Sequence, residues 1–226
     1  MANIYIVSTP IGNLKDITYR AIEVLKSSQL IICEDTRVSR KLLDHYDIKT
    51  QLTSLNEFNE DEKSYEILSE IKTLENVSLI SDAGTPLLSD PGYKFIKRAV
   101  KNGHKVISIP GASAILAALT ASTMPTNTFT FLGFLPKSPA KQQKIFDRYK
   151  SENHTVIIFE SPHRIIKTLS TLKDSYGDIV VTTTRELTKK FEEVNILPIT
   201  RHLELMETKK PKGEFTVVFN PTIKEN

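Results

Sequence analysis

Little in this sequence speaks for a membrane, a disulfide framework or a metal. Its one cysteine, Cys33, excludes an internal disulfide and any site built from clustered thiolates. Lying in the apolar run Leu30-Ile31-Ile32-Cys33, it reads as an inert, buried strand residue. No apolar stretch reaches the roughly 18 residues that a membrane span requires. The opening Met1-Ala2-Asn3-Ile4-Tyr5-Ile6-Val7 shows neither a basic leader nor a small-residue cleavage site, so the expected location is the cytoplasm. His45, His104, His154, His163 and His202 form no i, i+4 pair around a glutamate, which argues against zinc-dependent hydrolysis, and no metal is expected. No G-x-G-x-x-G follows the first apolar run and no G-x-x-x-x-G-K-[ST] occurs, so the standard dinucleotide and triphosphate loops are missing. Gly111-Ala112-Ser113-Ala114-Ile115 has Ile115 where a nucleophile elbow needs glycine. Ser138-Pro139-Ala140-Lys141 fits S-x-x-K without its partner motifs. Both read as chance matches.

What remains is the balance of an ordinary globular protein. The 226 residues are 39% hydrophobic and 25% charged, enough for one large domain or two small ones. A formal charge of +3 and a pI near 8.8 neither demand nor exclude nucleic acid.

Short β-rich runs, Ile4 to Ser8, Leu30 to Cys33, Leu52 to Leu55, Val77 to Ser81 and Val106 to Ile109, alternate with helical patterns. Asp16 to Leu25 places Ile17, Ala21, Ile22 and Leu25 on one face; Asp61 to Leu74 and Tyr93 to Val100 behave alike. Continuous apolar strands between helices predict a parallel sheet covered on both sides. A small-residue helix, Ala112 to Ala121, follows. After the turn-rich Thr123-Met124-Pro125-Thr126-Asn127 the pattern changes. Strands are expected at Phe129 to Phe134, Thr155 to Phe159, Ile179 to Thr184, Phe191 to Val194 and Phe215 to Phe219, with helices at Pro139 to Tyr149, Pro162 to Tyr176 and Arg201 to Met206. Fewer helices than strands imply antiparallel pairing. The expectation is therefore an α/β protein with a parallel-sheet domain over 1–122 and a mixed-sheet domain over 123–226.

In an open parallel sheet, ligands bind beyond the carboxyl ends of the strands. The loops there are unusual: Ser8-Thr9-Pro10-Ile11-Gly12-Asn13-Leu14, Glu34-Asp35-Thr36-Arg37, Ser81 to Gly92, and Pro110-Gly111-Ala112-Ser113-Ala114. The third carries Asp82-Ala83-Gly84 and Asp90-Pro91-Gly92 around Thr85-Pro86. Its second half reads as the start of a helix with Pro91 in the first position, whereas helix capping does not call for Asp82 to Pro86.

Seven segments, in order, carry a resemblance: Val7-Ser8-Thr9-Pro10-Ile11-Gly12-Asn13-Leu14, Cys33-Glu34-Asp35-Thr36-Arg37, Ser81-Asp82-Ala83-Gly84-Thr85-Pro86, Ile109-Pro110-Gly111-Ala112-Ser113-Ala114, Phe131-Leu132-Gly133-Phe134-Leu135-Pro136, Phe159-Glu160-Ser161-Pro162-His163-Arg164, and Arg185-Glu186-Leu187-Thr188-Lys189-Lys190-Phe191-Glu192. They resemble the tetrapyrrole methylase superfamily, and within it the ribosomal RNA small subunit methyltransferase I branch. The resemblance implies a two-domain αβα fold with a cofactor cleft between the domains, S-adenosylmethionine as cofactor, and a homodimer. It further implies 2'-O-methylation of a decoding-centre cytidine in 16S ribosomal RNA, free or in the small ribosomal subunit. Tetrapyrrole enzymes are expected to carry Gly-Pro-Gly-Asp-like first and Gly-Asp-Pro-like fourth loops. Ser8-Thr9-Pro10-Ile11-Gly12-Asn13 and Ser81 to Pro86 depart from both, which favours the RNA branch.

By the same resemblance the cofactor pocket comprises Pro10, Asp82, Ala83, Gly84, Thr85, Ser113, Ala114, Phe134 and Phe159. An ammonium or ribose diol suits Asp82, and a carboxylate suits a hydroxyl or helix start near Ser113. A ribose hydroxyl is a weak nucleophile, so a carboxylate is a candidate base; Asp35, Glu160 and Glu186 each stand beside an arginine. For any single one, a structural ion pair or an RNA-positioning group is preferred to a catalytic role. Lys137, Lys141, Lys144 and Arg148 recur at spacings of four, three and four, either a phosphate-binding stripe or a solvated face. Arg37, Arg164, Arg185 and Lys189 add candidate RNA contacts. Two other readings stay open, a small-molecule tetrapyrrole-type methylase and a non-catalytic RNA-binding module.

Overall fold

The computed structural model describes residues 1–223, which group into two compact units dividing after Ser113. In the first unit, β1 (Asn3–Val7), β2 (Leu30–Cys33), β3 (Gln51–Ser54), β4 (Asn76–Leu79) and β5 (Lys105–Ile109) form one sheet in the order β3-β2-β4-β1-β5. Every pairing is parallel, with Ile4 opposite both Val77 and Val106.

The period of two along each strand divides the core. Ile4, Ile6, Leu30, Ile32, Val77 and Leu79 pack with Ile67 and Leu68 of α3 (Glu60–Glu70) and Phe95 and Ala99 of α4 (Tyr93–Lys101). Val7, Ile31, Cys33 and Ile109 pack with Ala21 and Leu25 of α1 (Tyr19–Ser27) and Leu43 of α2 (Thr36–His45). Cys33 is buried as expected, and burial pushes its thiol pKa up, which keeps it unreactive. From β1 the chain steps one way along the sheet through β2 to β3, then back across β4 to β5. The two directions use helices on opposite faces, so the neighbours β1 and β4 send their exits to opposite sides.

Local chemistry departs from expectation in a few places. The helix α2 was not legible as an apolar stripe, because Asp35 starts it by accepting from the Arg37 amide and only Ser39, Leu42 and Leu43 are buried. The third helical pattern ends at Glu70, and Ile71–Thr73 tighten into a 3₁₀ turn. Pro91 does not open α4; Gly92 is its N-cap, at φ 114°. No side chain of that loop caps the helix. Instead Oε1 of the buried Glu60 accepts from the amides of Gly92 (3.0 Å), Lys94 (2.8 Å) and Phe95 (3.3 Å), satisfying donors that a helix start leaves open.

The second unit begins at α5 (Ala114–Ala121), which packs on β10 (Phe215–Phe219). The division therefore falls earlier than the 122/123 boundary expected from the turn at Thr123-Met124-Pro125. β6 (Phe129–Phe134), β7 (Thr155–Glu160), β8 (Val180–Arg185), β9 (Glu193–Pro198) and β10 make a sheet ordered β6-β7-β10-β8-β9. Only β6 with β7 is parallel; the other pairs are antiparallel, the mixed sheet that the scarcity of helices predicts. One face carries α6 (Pro139–Tyr149), α7 (Ile165–Tyr176) and α8 (Ile199–Thr208) through Phe146, Leu169, Leu172 and Ile199. Ile115, Ala118 and Leu119 of α5 cover Ile157 and Val218 on the other. The strand expected at Phe191 to Val194 runs instead over Glu193–Pro198. Among the described residues, no helix is long and apolar enough to cross a membrane.

Replacing Glu60 with alanine should cost about 1–3 kcal/mol, because it leaves amide donors at the buried start of α4 unsatisfied. Chemical denaturation measures this; an unchanged midpoint would show that Glu60 is not the cap.

Candidate functional site

The exits of β1 and β4 are stitched together by two hydrogen bonds, from the Thr9 amide to the Gly84 carbonyl (2.9 Å) and from the Gly84 amide to the Thr9 carbonyl (3.1 Å). Thr9 Oγ1 also donates to the Ser81 carbonyl at 3.2 Å. The loop after β5 joins through side chains. Thr85 Oγ1 donates to the Ala112 carbonyl (3.2 Å) and lies 3.1 Å from Ser8 Oγ. Since the single Thr85 hydroxyl proton is committed to Ala112, Ser8 is the donor in that pair. The loop after β2 is tied by the Asp35 amide, which donates to Asp82 Oδ1 at 3.1 Å. Two glycines permit this closeness: Gly84 sits at φ +82°, and a Cβ on Gly111 would meet that of Ser8 at 2.9 Å. Leu87 and Ser89, at φ 73° and 69°, occupy the left-handed region without being glycine, a strain of about 1–3 kcal/mol each that the surrounding bonds must hold.

Charge is unevenly settled in these loops. Arg37 grips Asp35 with Nε at 3.1 Å and Nη2 at 2.6 Å. Those hydrogen bonds hold the Asp35 carboxyl down at about 2, while 87% of the Arg37 side chain stays exposed. Neighbouring acids fare differently. Burial first, and then the charges of Asp82, Asp90, Asp35 and Glu57, push the Glu34 pKa up. Burial and Asp35 raise that of Asp82, and burial pushes Asp90 up to about 6 with Asp82 adding to it. A half-buried group of carboxylates with raised pKa values is a poor place for an anion and a good one for a cation. Pro10 is buried directly after Thr9, and Ala83 lies exposed beside the buried Gly84. Ser113 closes the first unit and Ala114 opens α5.

In the second unit the expected residues fall into three groups. Phe134 is 57% exposed, and its ring lies 5.7 Å from that of Phe159, which in turn contacts Phe131 at 4.8 Å. Gly133, at φ 63°, allows the register shift in β6 that turns Phe134 outward. Glu160 is 1% exposed and fully enclosed. Its carboxylate accepts from the Ser161 amide (2.8 Å), the Thr168 hydroxyl (2.6 Å), and Arg164 Nε and Nη2 (3.2 and 3.3 Å). Arg164 is spent as well, donating to the Leu135 carbonyl at 2.5 Å. Arg185 pairs with Glu193 at 2.6 Å, and Lys189 pairs with Glu186 at 3.1 Å and Glu214 at 2.8 Å. Glu186 is desolvated, yet the Glu214 amide and Lys189 bring its pKa below the usual range. By contrast Lys141, Lys144 and Arg148 stand exposed along α6, opposite the buried Gln142 and Phe146, with Lys137 exposed just before the helix, and none has an ion pair among the described residues. No group of three or more His, Cys, Asp and Glu among the described residues is placed to hold a metal.

Sequence reasoning quoted Ser8, Glu34 and Asp90 inside its segments without a role, and missed Glu60 altogether. Ser8 meets Thr85 and Glu60 meets Gly92 from 77 and 32 positions away, and Glu34 feels Asp82 and Asp90 across the fold. A spacing rule cannot see such pairs.

The chain thus joins a parallel sheet with tied exit loops to a mixed sheet. A solved diphthine synthase has the same fold, with a TM-score of 0.79 at 13% identity over 99% of this chain and 92% of that one. Residues 3–201 match the Tetrapyrrole (Corrin/Porphyrin) Methylases family, and the chain belongs to it. Its methyl donor is accordingly S-adenosylmethionine. A relative from Mesorhizobium japonicum, named Ribosomal RNA small subunit methyltransferase I, is 43% identical over 96% of this chain and 75% of its own length. One of the same name from Thermotoga maritima is 40% identical over 97% and 99%.

Arg164→Ala strands the enclosed Glu160 charge and should cost about 3–5 kcal/mol. A loss below about 1 kcal/mol in thermal or chemical unfolding would show that the pair does not stabilise the fold.

Proposed function

We propose that this chain methylates small-subunit ribosomal RNA, transferring the methyl group to the ribose 2'-oxygen of a cytidine in the decoding centre. The observation that carries the reading is the tied loop cluster around Asp82, whose uncompensated carboxylates match a cationic methyl donor. The acceptor class follows the shared name of the relatives, the unpaired cations of α6, and the departure of Ser81 to Pro86 from the loop expected of tetrapyrrole enzymes.

When bound, S-adenosylmethionine supplies a methyl group on a sulfonium, an electrophile that needs no further activation. The chain's task is to hold the acceptor oxygen in line and exclude water. Asp82 and the backbone around Gly84 would hold the cofactor, with Ser8, Thr85 and Ala112 keeping that backbone in place. Asp35 would orient the exposed Arg37 toward an RNA phosphate; a carboxyl held at about 2 is too weak a base to take a ribose proton. Glu160 and Glu186, each bound in ion pairs, would act as positioning groups.

Asp82→Ala should weaken S-adenosylmethionine binding about tenfold or more while leaving the unfolding midpoint near that of the wild type. Unchanged affinity by calorimetry would remove Asp82 from the pocket. The raised carboxylates fix a second outcome. A bound cation favours their ionised forms and expels protons, so affinity should climb as pH rises through about 6 and level off above; a flat profile between about pH 5 and pH 7 would contradict this. Mass mapping of small-subunit RNA from cells lacking the protein tests the acceptor. One cytidine should lose its ribose methyl group, and persistence of every such mark would overturn the reading.

A further inference from the structure

The second unit contains a cavity of about 250 Å³ between α8, β8, β9 and the segment leading into β10. The buried Phe215 supplies a neutral floor, and Leu205 and Met206 add apolar lining nearer solvent. His202 walls one end. Its Nε2 lies 3.0 Å from the Val181 carbonyl and its Nδ1 3.4 Å from the Thr183 hydroxyl, and burial lowers its pKa, so it stays uncharged. Asn195 also lines the space, and its side-chain amide has no hydrogen-bond partner among the described residues. The rim is of opposite character. Arg185, Lys209, Lys210 and Lys212 surround the mouth, with Glu193 the acid among the lining residues.

This rim is built rather than loose. Glu193 fastens Arg185 (2.6 Å) and Lys209 (3.2 Å), while Arg185 Nη1 donates to the Lys212 carbonyl at 3.4 Å. Glu186 accepts from the Glu214 amide at 2.9 Å. Gly213, at φ +83°, lies so close that an added Cβ would come within 2.6 Å of that carboxyl group. Lys210 and Lys212 are left exposed and without an ion pair among the described residues.

We propose that this cavity binds one nucleotide of single-stranded RNA, its base on the Phe215 and Asn195 floor and its phosphate on the lysine rim. The proposal rests on RNA being the substrate. The volume is below that of pockets for drug-sized ligands, about 300–1,000 Å³, and suits a single nucleotide. An unpaired amide is the group that reads a base edge, and clustered lysines bind phosphate without regard to sequence. An acidic peptide would use the rim and leave the floor idle.

The test measures binding of a short single-stranded oligoribonucleotide to the full chain over a range of salt, with a polyglutamate of equal charge as competitor. Combined replacement of Lys209, Lys210 and Lys212 by alanine should weaken RNA binding about tenfold, and the log–log salt slope should become shallower by about 0.7 for each phosphate of the single strand that is no longer neutralised. Affinity for S-adenosylmethionine should not change. Asn195→Ala should weaken binding with the salt slope retained. Unchanged RNA affinity and slope in the triple variant, while the wild type binds RNA, would overturn the site and leave the functional reading standing; competition by polyglutamate as strong as by RNA would overturn the nucleotide. A wild-type chain that binds no RNA would overturn both.

Discussion

The paired hydrogen bonds between Thr9 and Gly84 are the interaction on which the candidate site depends. Parallel strands need crossovers, and those leaving β1 and β4 depart toward opposite faces of the sheet. A gap opens where two adjacent exits separate. Without a cross-link, such loops would sample many arrangements. The bridge sets their distance, the Ser8–Thr85–Ala112 relay adds the loop after β5, and Asp82 adds the loop after β2 through the Asp35 amide. Glu60 secures the far end of the same loop by capping α4. The backbone of these loops thereby acquires the rigidity of the sheet beneath it.

The units treat their charges in different ways. In the second, Glu160, Glu186 and Glu193 all find cations or amides, and Glu160 is enclosed. Such networks stabilise a fold or stiffen a surface. In the first, burial raises the pKa values of Glu34, Asp82 and Asp90, the charge of Asp82 adds to it at Glu34 and Asp90, and none of the three has an ion pair among the described residues. Arg37, the nearest cation in sequence, is consumed by Asp35. The imbalance fits the cationic methyl donor proposed for these loops, since charge left unsettled in the free protein would be settled on binding.

Most of the architecture was legible because it rests on local pattern. Apolar runs of β-branched residues became strands, and their alternation with amphipathic segments predicted the parallel sheet. The surplus of strands over helices after residue 124 predicted the mixed one. The helix α2 was hidden because its face toward the core is short and its start depends on Asp35 capping the Arg37 amide. The Pro91 expectation failed for a related reason. A proline before a glycine resembles a helix start, but a carboxylate from a different helix supplied the cap.

Residue types and their order along the chain by themselves determined the two sheets, the unusual loops at the strand ends and, through resemblance, the methylase family. They could not determine which acids would be paired. Asp35, Glu160 and Glu186 look alike in sequence, each beside an arginine, yet one grips an exposed guanidinium, one is enclosed in the core and one caps a turn. Nor could they show that Ser8 meets Thr85, or that Arg185 helps to build the rim of a cavity. Only the tertiary structure decided these matters, because a carboxylate's proton affinity and a hydroxyl's partner depend on atoms within a few ångströms, brought from positions far apart in the chain.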